Sequence, residues 1–352
     1  MTKQMKESSS NFIELDKSKI DKGISEAGEY IAEGIYIKKW TPNKEEKGEY
    51  QDNNSDKKET EKYISTLEKN GCKYSGSLND KFQRDGYGLE LYNNGDKYFG
   101  QFDSNSRNEN GIYYFAPTKS EENPDNVQTE CYLGQWKNNL KDQYGMYIWM
   151  DQPENNYEFE NANFDAYVGE FEDEKYLRGT YLSKLNKEYY LYHGYFDKEG
   201  KKTDDNAYFY TSKSNKIFHG KILNDVLQYG ILASFDDNGE KIKEVVYCTF
   251  NEDGSVNDVY EENQLSPEDV EGEKRKIMNF RNIVLDGDYY NKIYNKFVKT
   301  KNKVDKLGDM VSVLEREKSI PEINKILKKY SKKNIYYDIE ENFFRRKIEK
   351  NN

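Results

Sequence analysis

Tyr98-Phe99-Gly100-Gln101-Phe102, answered by Gly111-Ile112-Tyr113-Tyr114, is the stretch that decides the fold. Tyr98, Gly100 and Phe102 alternate, as do Gly111, Tyr113 and Phe115. Aromatic side chains at period two are a strand signal. The polar residues 103–110 between them predict the turn of a hairpin. Glycine is unfavourable inside a strand, so its central place implies close approach of a neighbouring backbone or ring. Each glycine reads as a gap that an aromatic fills.

The stretch recurs. Tyr132-Leu133-Gly134-Gln135-Trp136 is followed by Gly145, and Tyr167-Val168-Gly169-Glu170-Phe171 by Gly179. Looser copies pair Tyr74 and Gly76 with Gly88, Tyr192 and Gly194 with Ala207, and Phe218 and Gly220 with Gly230. Anchor glycines at 76, 100, 134, 169, 194 and 220 give steps of 24, 34, 35, 25 and 26 residues. The two long steps hold polar stretches at 117–130 and 151–163, which predict inserted loops. Without about a dozen residues in each, the period is roughly 23 to 26, as expected of short stacked repeats.

The pattern Tyr-x-Gly-(Gln/Glu)-(Phe/Trp), a polar turn, then Gly and an aromatic or aliphatic residue, resembles the MORN repeat (membrane occupation and recognition nexus). The resemblance covers residues 74–235, a little under half of the chain. It implies a mainly β fold: an elongated single-layer array of antiparallel β-hairpins acting as a scaffold. Some proteins with such repeats carry a kinase or methyltransferase domain. The roughly 85 residues after this array are too few and too helical for a kinase, and hold no Asp-Phe-Gly or His-Arg-Asp signature.

Composition fits a thin array with aromatic seams, since 32 Tyr and 17 Phe accompany a mean hydropathy of -1.13. The net charge of -11 is uneven: residues 274–352 hold 21 Lys/Arg against 11 Asp/Glu, and the preceding part 33 against 54. An acidic array argues against nucleic acid, whose phosphates need cations, and against anionic lipid on the repeat face. Cys72, Cys131 and Cys248 show no paired spacing. Their odd number, with no apolar signal segment, predicts an intracellular, reducing setting, cytoplasmic or cytoskeletal. No stretch is apolar enough to span a membrane as a helix.

The expected organisation is an N-terminal extension and polar linker at 1–62, the hairpin array at 63–262, and a basic helical segment at 263–352. Ile35-Tyr36-Ile37 after Glu33-Gly34 fits either a plain apolar cluster or half of a decayed repeat. Residues 242–250 form one more predicted strand, with Thr249 or Cys248 where a copy has glycine. Ser266-Pro267-Glu268-Asp269 opens a helix, and Ser319-Ile320-Pro321-Glu322 resembles a capping box for another. Tyr290, Ile293, Phe297, Val304, Leu307, Val311 and Leu314 occupy a and d positions of a heptad pattern, with Thr300 the polar exception. That pattern fits either a coiled-coil partner helix bound at 288–317 or packing back on the last repeat.

Catalytic, cofactor and metal chemistry find no foothold. Glu170, Glu172, Asp173 and Glu174 read as a solvated turn, and His193 and His219 sit in the same place of adjacent copies, as repeat-surface residues. The expectation is a non-enzymatic scaffold joining other proteins in a large assembly. The resemblance suggests a cytoskeletal setting such as a ciliary axoneme. The alternative is an adaptor whose basic tail binds anionic phosphoinositides.

Overall fold

The computed structural model describes residues 18, 22, 29–32, 35–40, 62–69, 71–119, 125–153, 162–236, 241–261 and 266–284, together with 290, 291, 293–295, 298, 299 and 302. The polar linker at 41–61, the heptad residues Phe297, Val304, Leu307, Val311 and Leu314, and the capping box at 319–322 lie outside the described residues.

The period-two stretches form strands β1 (Glu29–Ala32), β2 (Ile35–Trp40), β3 (Lys62–Lys69), β4 (Cys72–Leu78), β5 (Arg84–Leu91), β6 (Lys97–Asp103), β7 (Ser106–Tyr114), β8 (Thr118–Lys119) and β9 (Asn126–Lys137). They continue as β10 (Leu140–Pro153), β11 (Asn163–Glu172), β12 (Lys175–Leu185), β13 (Glu188–Tyr195), β14 (Asp204–Thr211), β15 (Lys216–Leu223), β16 (Val226–Phe235), β17 (Ile242–Phe250) and β18 (Val256–Glu261), followed by helix α1 (Pro267–Val284). All the strands belong to one antiparallel sheet. Neighbours in sequence are neighbours in space, except that β7 pairs with β9 and the short β8 lies further along β9. The sheet takes in β1 and β2, which composition alone groups with the N-terminal extension.

One register runs through the sheet. Gly76 faces Gly88, which faces Gly100, and the row continues through Gly111, Gly134, Gly145, Gly169, Gly179 and Gly194. Farther on, Ala207 faces Gly220, Gly220 faces Gly230, and Gly230 faces Cys248, so Cys248 rather than Thr249 takes the glycine position. On the other side Ser65 and Ile37 extend the row. A one-residue slip would move every side chain to the opposite face, and the matched glycines forbid it.

Two sequence expectations change. The turn after β6 is not residues 103–110 but only Ser104 and Asn105, with φ of 48° and 74°. Asn138 and Asn139, Asp173 and Glu174, and Asn224 and Asp225 repeat this double positive φ. It marks the two-residue type I′ hairpin, whose twist matches that of the strands. The stretches at 117–130 and 151–163 are only partly loop: β9 and β10 stay paired as far as Asn126 and Pro153. Their polar residues belong to longer strands.

The array is not a bare layer either. Ser266 caps α1, its Oγ accepting from the Asp269 amide at 3.3 Å. Val270, Ile277 and Phe280 bury one face of the helix against β15, β16 and β17. Tyr290, Ile293 and Tyr294, also helical, are buried on the same side of the sheet.

Glycines at the seam and in the helix face opposite tests. A Cβ at Gly100 would lie 2.5 Å from both Gly111 Cα and Tyr98 Oη, so Gly100→Ala forces backbone apart and should cost about 3 kcal/mol. Gly272 in α1 meets nothing within 4 Å, and Gly272→Ala should gain about 1 kcal/mol. Urea unfolding of both variants checks the contrast.

Candidate functional site: an aromatic face with charged flanks

Alternation sends Tyr98, Gly100 and Phe102 to one face of the sheet and Phe99 to the other. Tyr74, Tyr98, Tyr132, Tyr167 and Tyr192 precede their anchor glycines by two residues, and each is essentially fully buried. Each phenol lies over the adjacent glycines. Its hydroxyl donates to the carbonyl three residues on, at 2.8 Å for Tyr74 to Ser77, 2.9 Å for Tyr98 to Gln101, and 2.7 Å for Tyr167 to Glu170. Tyr132 and Tyr192 do the same at 2.8 and 2.5 Å. Burial raises the Tyr74 and Tyr98 phenols far above their ordinary values, which keeps them as donors.

Phe102, Trp136, Phe171 and Phe196, each two residues after its anchor, lock these tyrosines together. Phe102 meets Tyr74 and Tyr98 edge-on at 5.4 and 5.0 Å, and Trp136 meets Tyr98 and Tyr132 at 5.5 and 5.0 Å. Phe171 joins Tyr132 to Tyr167, and Phe196 joins Tyr167 to Tyr192, with interplanar angles of 81–90°. Edge-to-face pairs add about 0.5–1.5 kcal/mol each beyond burial. Phe218 keeps the position over Gly220 and Gly230 but carries no hydroxyl.

One flank of this face is cationic. Arg84, Arg107, Lys141 and Lys202 stand just past the two-residue turns or their equivalents, above the rings. Arg107 lies 4.4 Å from the Trp136 centroid, Arg84 4.7 Å from Phe102, and Lys141 5.1 Å from Tyr147. Each also clasps the next turn. Arg84 bonds Asn105 through its amide and guanidinium, and Arg107 bonds Asn139 likewise. Lys141 pairs with Glu174 and Lys202 with Asp225. At this offset Tyr176 replaces the cation and stacks on Tyr167 at 4.1 Å. Arg84 and Glu90 form a buried ion pair at 2.6 Å, with side chains only 3% and 2% exposed.

The other flank is acidic. Asp96 accepts from the Tyr113 hydroxyl at 2.8 Å and Glu130 from Tyr147 at 2.7 Å, while Asp165 bonds Tyr181. Burial first, and then these carboxylates, raise the three phenols.

The opposite face carries the helical residues and the histidines. His193 bonds Thr180 at 3.0 Å, and desolvation, aided by Arg178, lowers it to about 3, so it is neutral at pH 7. His219 is buried, contrary to the surface place expected of it: its ring stacks on Tyr208 at 4.2 Å and its Nδ1 lies 2.6 Å from Glu273 of α1. Tyr208 stacks in turn on Phe280 of the helix. Among the described residues no group of three His, Cys, Asp or Glu side chains is arranged to hold a metal ion.

The glycines and aromatics singled out from the sequence therefore meet in one continuous seam. Tyr290 and Ile293, candidates for binding a partner helix, are instead covered within the chain. Tyr290 packs on Tyr189 at 4.8 Å, and the neighbouring Tyr294 packs on Phe164 at 5.8 Å, so the contact falls on β11 and β13 and not on the last repeat. Their apolar surface is buried here against the sheet. The charged flanks escaped the sequence reading, although their signal is positional: a cation seven or eight residues after the anchor glycine, and an acid four residues before it in three successive copies.

No protein-family model matches the chain, and a search of curated proteins finds no match either.

Two ion pairs give measurable consequences. Glu90→Gln leaves the buried Arg84 without its carboxylate and should cost about 3–5 kcal/mol by chemical denaturation. Glu273 is held at about 2, chiefly by its hydrogen bond to His219 and then by Lys276. A depressed carboxylate contributes stability above its unfolded value of 4.5 and loses it as pH falls towards 2. The protection factors of the α1 amides, with the intrinsic pH dependence of exchange divided out, should therefore fall over that window in the native chain, and Glu273→Gln should flatten the dependence.

Proposed function

We propose that this chain is a non-catalytic scaffold of the MORN-repeat kind, which presents a long periodic sheet surface to other proteins. The observation that carries the reading is the internal use of its polar chemistry. The ladder hydroxyls close on main-chain carbonyls, Arg84 pairs with Glu90, Lys141 clasps the next turn through Glu174, and buried Asp96 and Lys184 bond the Tyr113 hydroxyl and the Ala162 carbonyl. Side chains committed in this way hold strands in register; what repeats outward is a surface, and a repeating surface suits extended partners. On the resemblance alone we place it in a cytoskeletal assembly, with axonemal structures the first setting to examine.

Native size separation of the tagged full chain from cells tests this. The expected result is migration within a large assembly. Migration as free protein overturns the reading, and binding of the full chain to phosphoinositide vesicles would favour a membrane adaptor instead.

A further inference from the structure

The acidic flank has an order that tyrosine anchoring alone does not require. Along the edge of the aromatic face, aromatics and carboxylates alternate from strand to strand. Tyr92 pairs its amide with the carbonyl of Asp96 at 2.9 Å, and Phe115 with that of Glu130 at 3.1 Å. Trp149 stands between Glu130 on one neighbouring strand and Asp165 on the other. The carboxylates come from the residue just before β6 and from β9 and β11, each two strands from the next, so they repeat at about 9.6 Å. Apart from Asp96, which is buried, these residues are half-buried. Among the described residues, no helical residue joins the cluster beneath them.

We propose that this strip docks a cationic peptide in an extended, polyproline-like conformation, running across the strands with one lysine or arginine for each pair of strands. This rests on the scaffold reading and names the chemistry of its partner.

Three features select that occupant. An ionised carboxylate has about four acceptor sites, and a single tyrosine hydroxyl uses one of them at Glu130 and at Asp165, leaving room for a guanidinium or ammonium group. The interleaved ring faces attract the same cation. The spacing then sets the conformation: a polyproline helix advances about 9.3 Å in three residues, close to the two-strand repeat. Asp96 is the most committed member, also accepting from the Ala116 amide and the Asn94 side chain, so Glu130 and Asp165 carry the recognition. The acidic strip ends there. The following positions are Ser183, Tyr190 and Thr211, with Lys216 beyond.

The test uses the full chain and a labelled peptide with arginine at every third position in a proline background, followed by fluorescence anisotropy. The expected result is saturable binding that weakens about tenfold for Glu130→Gln/Asp165→Asn. The native chain should also bind a peptide of equal composition, with its arginines clustered at one end, about tenfold less tightly. That second comparison needs no variant, so it stands even if the substitutions disturb folding. Equal affinity for both peptides, unchanged affinity in the double variant, or no binding at all would overturn the proposal. If the peptide fails while the chain still migrates in a large assembly, the strip is excluded and the scaffold reading survives.

Discussion

A phenol ring laid over a pair of glycines is the contact on which the rest of this molecule depends. Nothing larger than hydrogen at Gly100 or Gly111 leaves room for Tyr98, and only with the ring in that place does its hydroxyl reach the Gln101 carbonyl. The glycines weaken their own strands, since they pack no side chain of their own. The ring returns that loss with interest by burying a large aromatic surface and satisfying a backbone acceptor. The unit is local, and it is repeated with its register intact. On this face aromatic rings fill the sheet from strand to strand, while aliphatic side chains such as Leu89, Leu133, Val168 and Leu182 are buried on the other.

Neighbouring units are joined twice. Edge-to-face rings couple them through the seam, and the side chain after one hairpin turn grips the turn of the next. Arg84, Arg107, Lys141 and Lys202 combine these functions, lying over the rings while bonding the following turn. Replacing such a cation changes packing and turn geometry together. A surface ion pair would be worth far less than this arrangement, in which the cation is partly or wholly removed from water.

Much of the architecture was legible because its signal is short in range and repeated. Alternating aromatics around glycine specify strands, a repeated offset specifies register, and Ser266-Pro267 specifies the start of α1. What escaped depends on facts that composition hides. A two-residue turn looks longer in sequence when the strand after it is polar, as residues 106–110 are. Paired β-strands can be as hydrophilic as loops at a sheet margin, which is why residues 126–130 read as insertion. The heptad pattern gave the right apolar face at Tyr290 and Ile293 but could not say what would cover it, since a sheet and a partner helix ask for the same side chains. The acidic strip was missed because its members lie far apart in sequence and are aligned only by strand pairing.

The aromatic seam thins after Tyr192: Ala207 stands in the glycine row, Ile222 takes the position held by Phe or Trp in the preceding copies, and Phe218 lacks the hydroxyl. Coupling between neighbours is what makes a linear array melt as one body. The pairing of β13 with β14 is also short, from Tyr190 to His193, and it separates a longer run of complete aromatic units from a shorter stretch ending at β18. Helix α1 lies over β15, β16 and β17, within that shorter stretch, and His219 ties it down there. It works as a splint: α1 braces the stretch with the sparsest aromatic packing, and Tyr290 and Tyr294 hold the helical residues beyond it against β13 and β11 of the longer run.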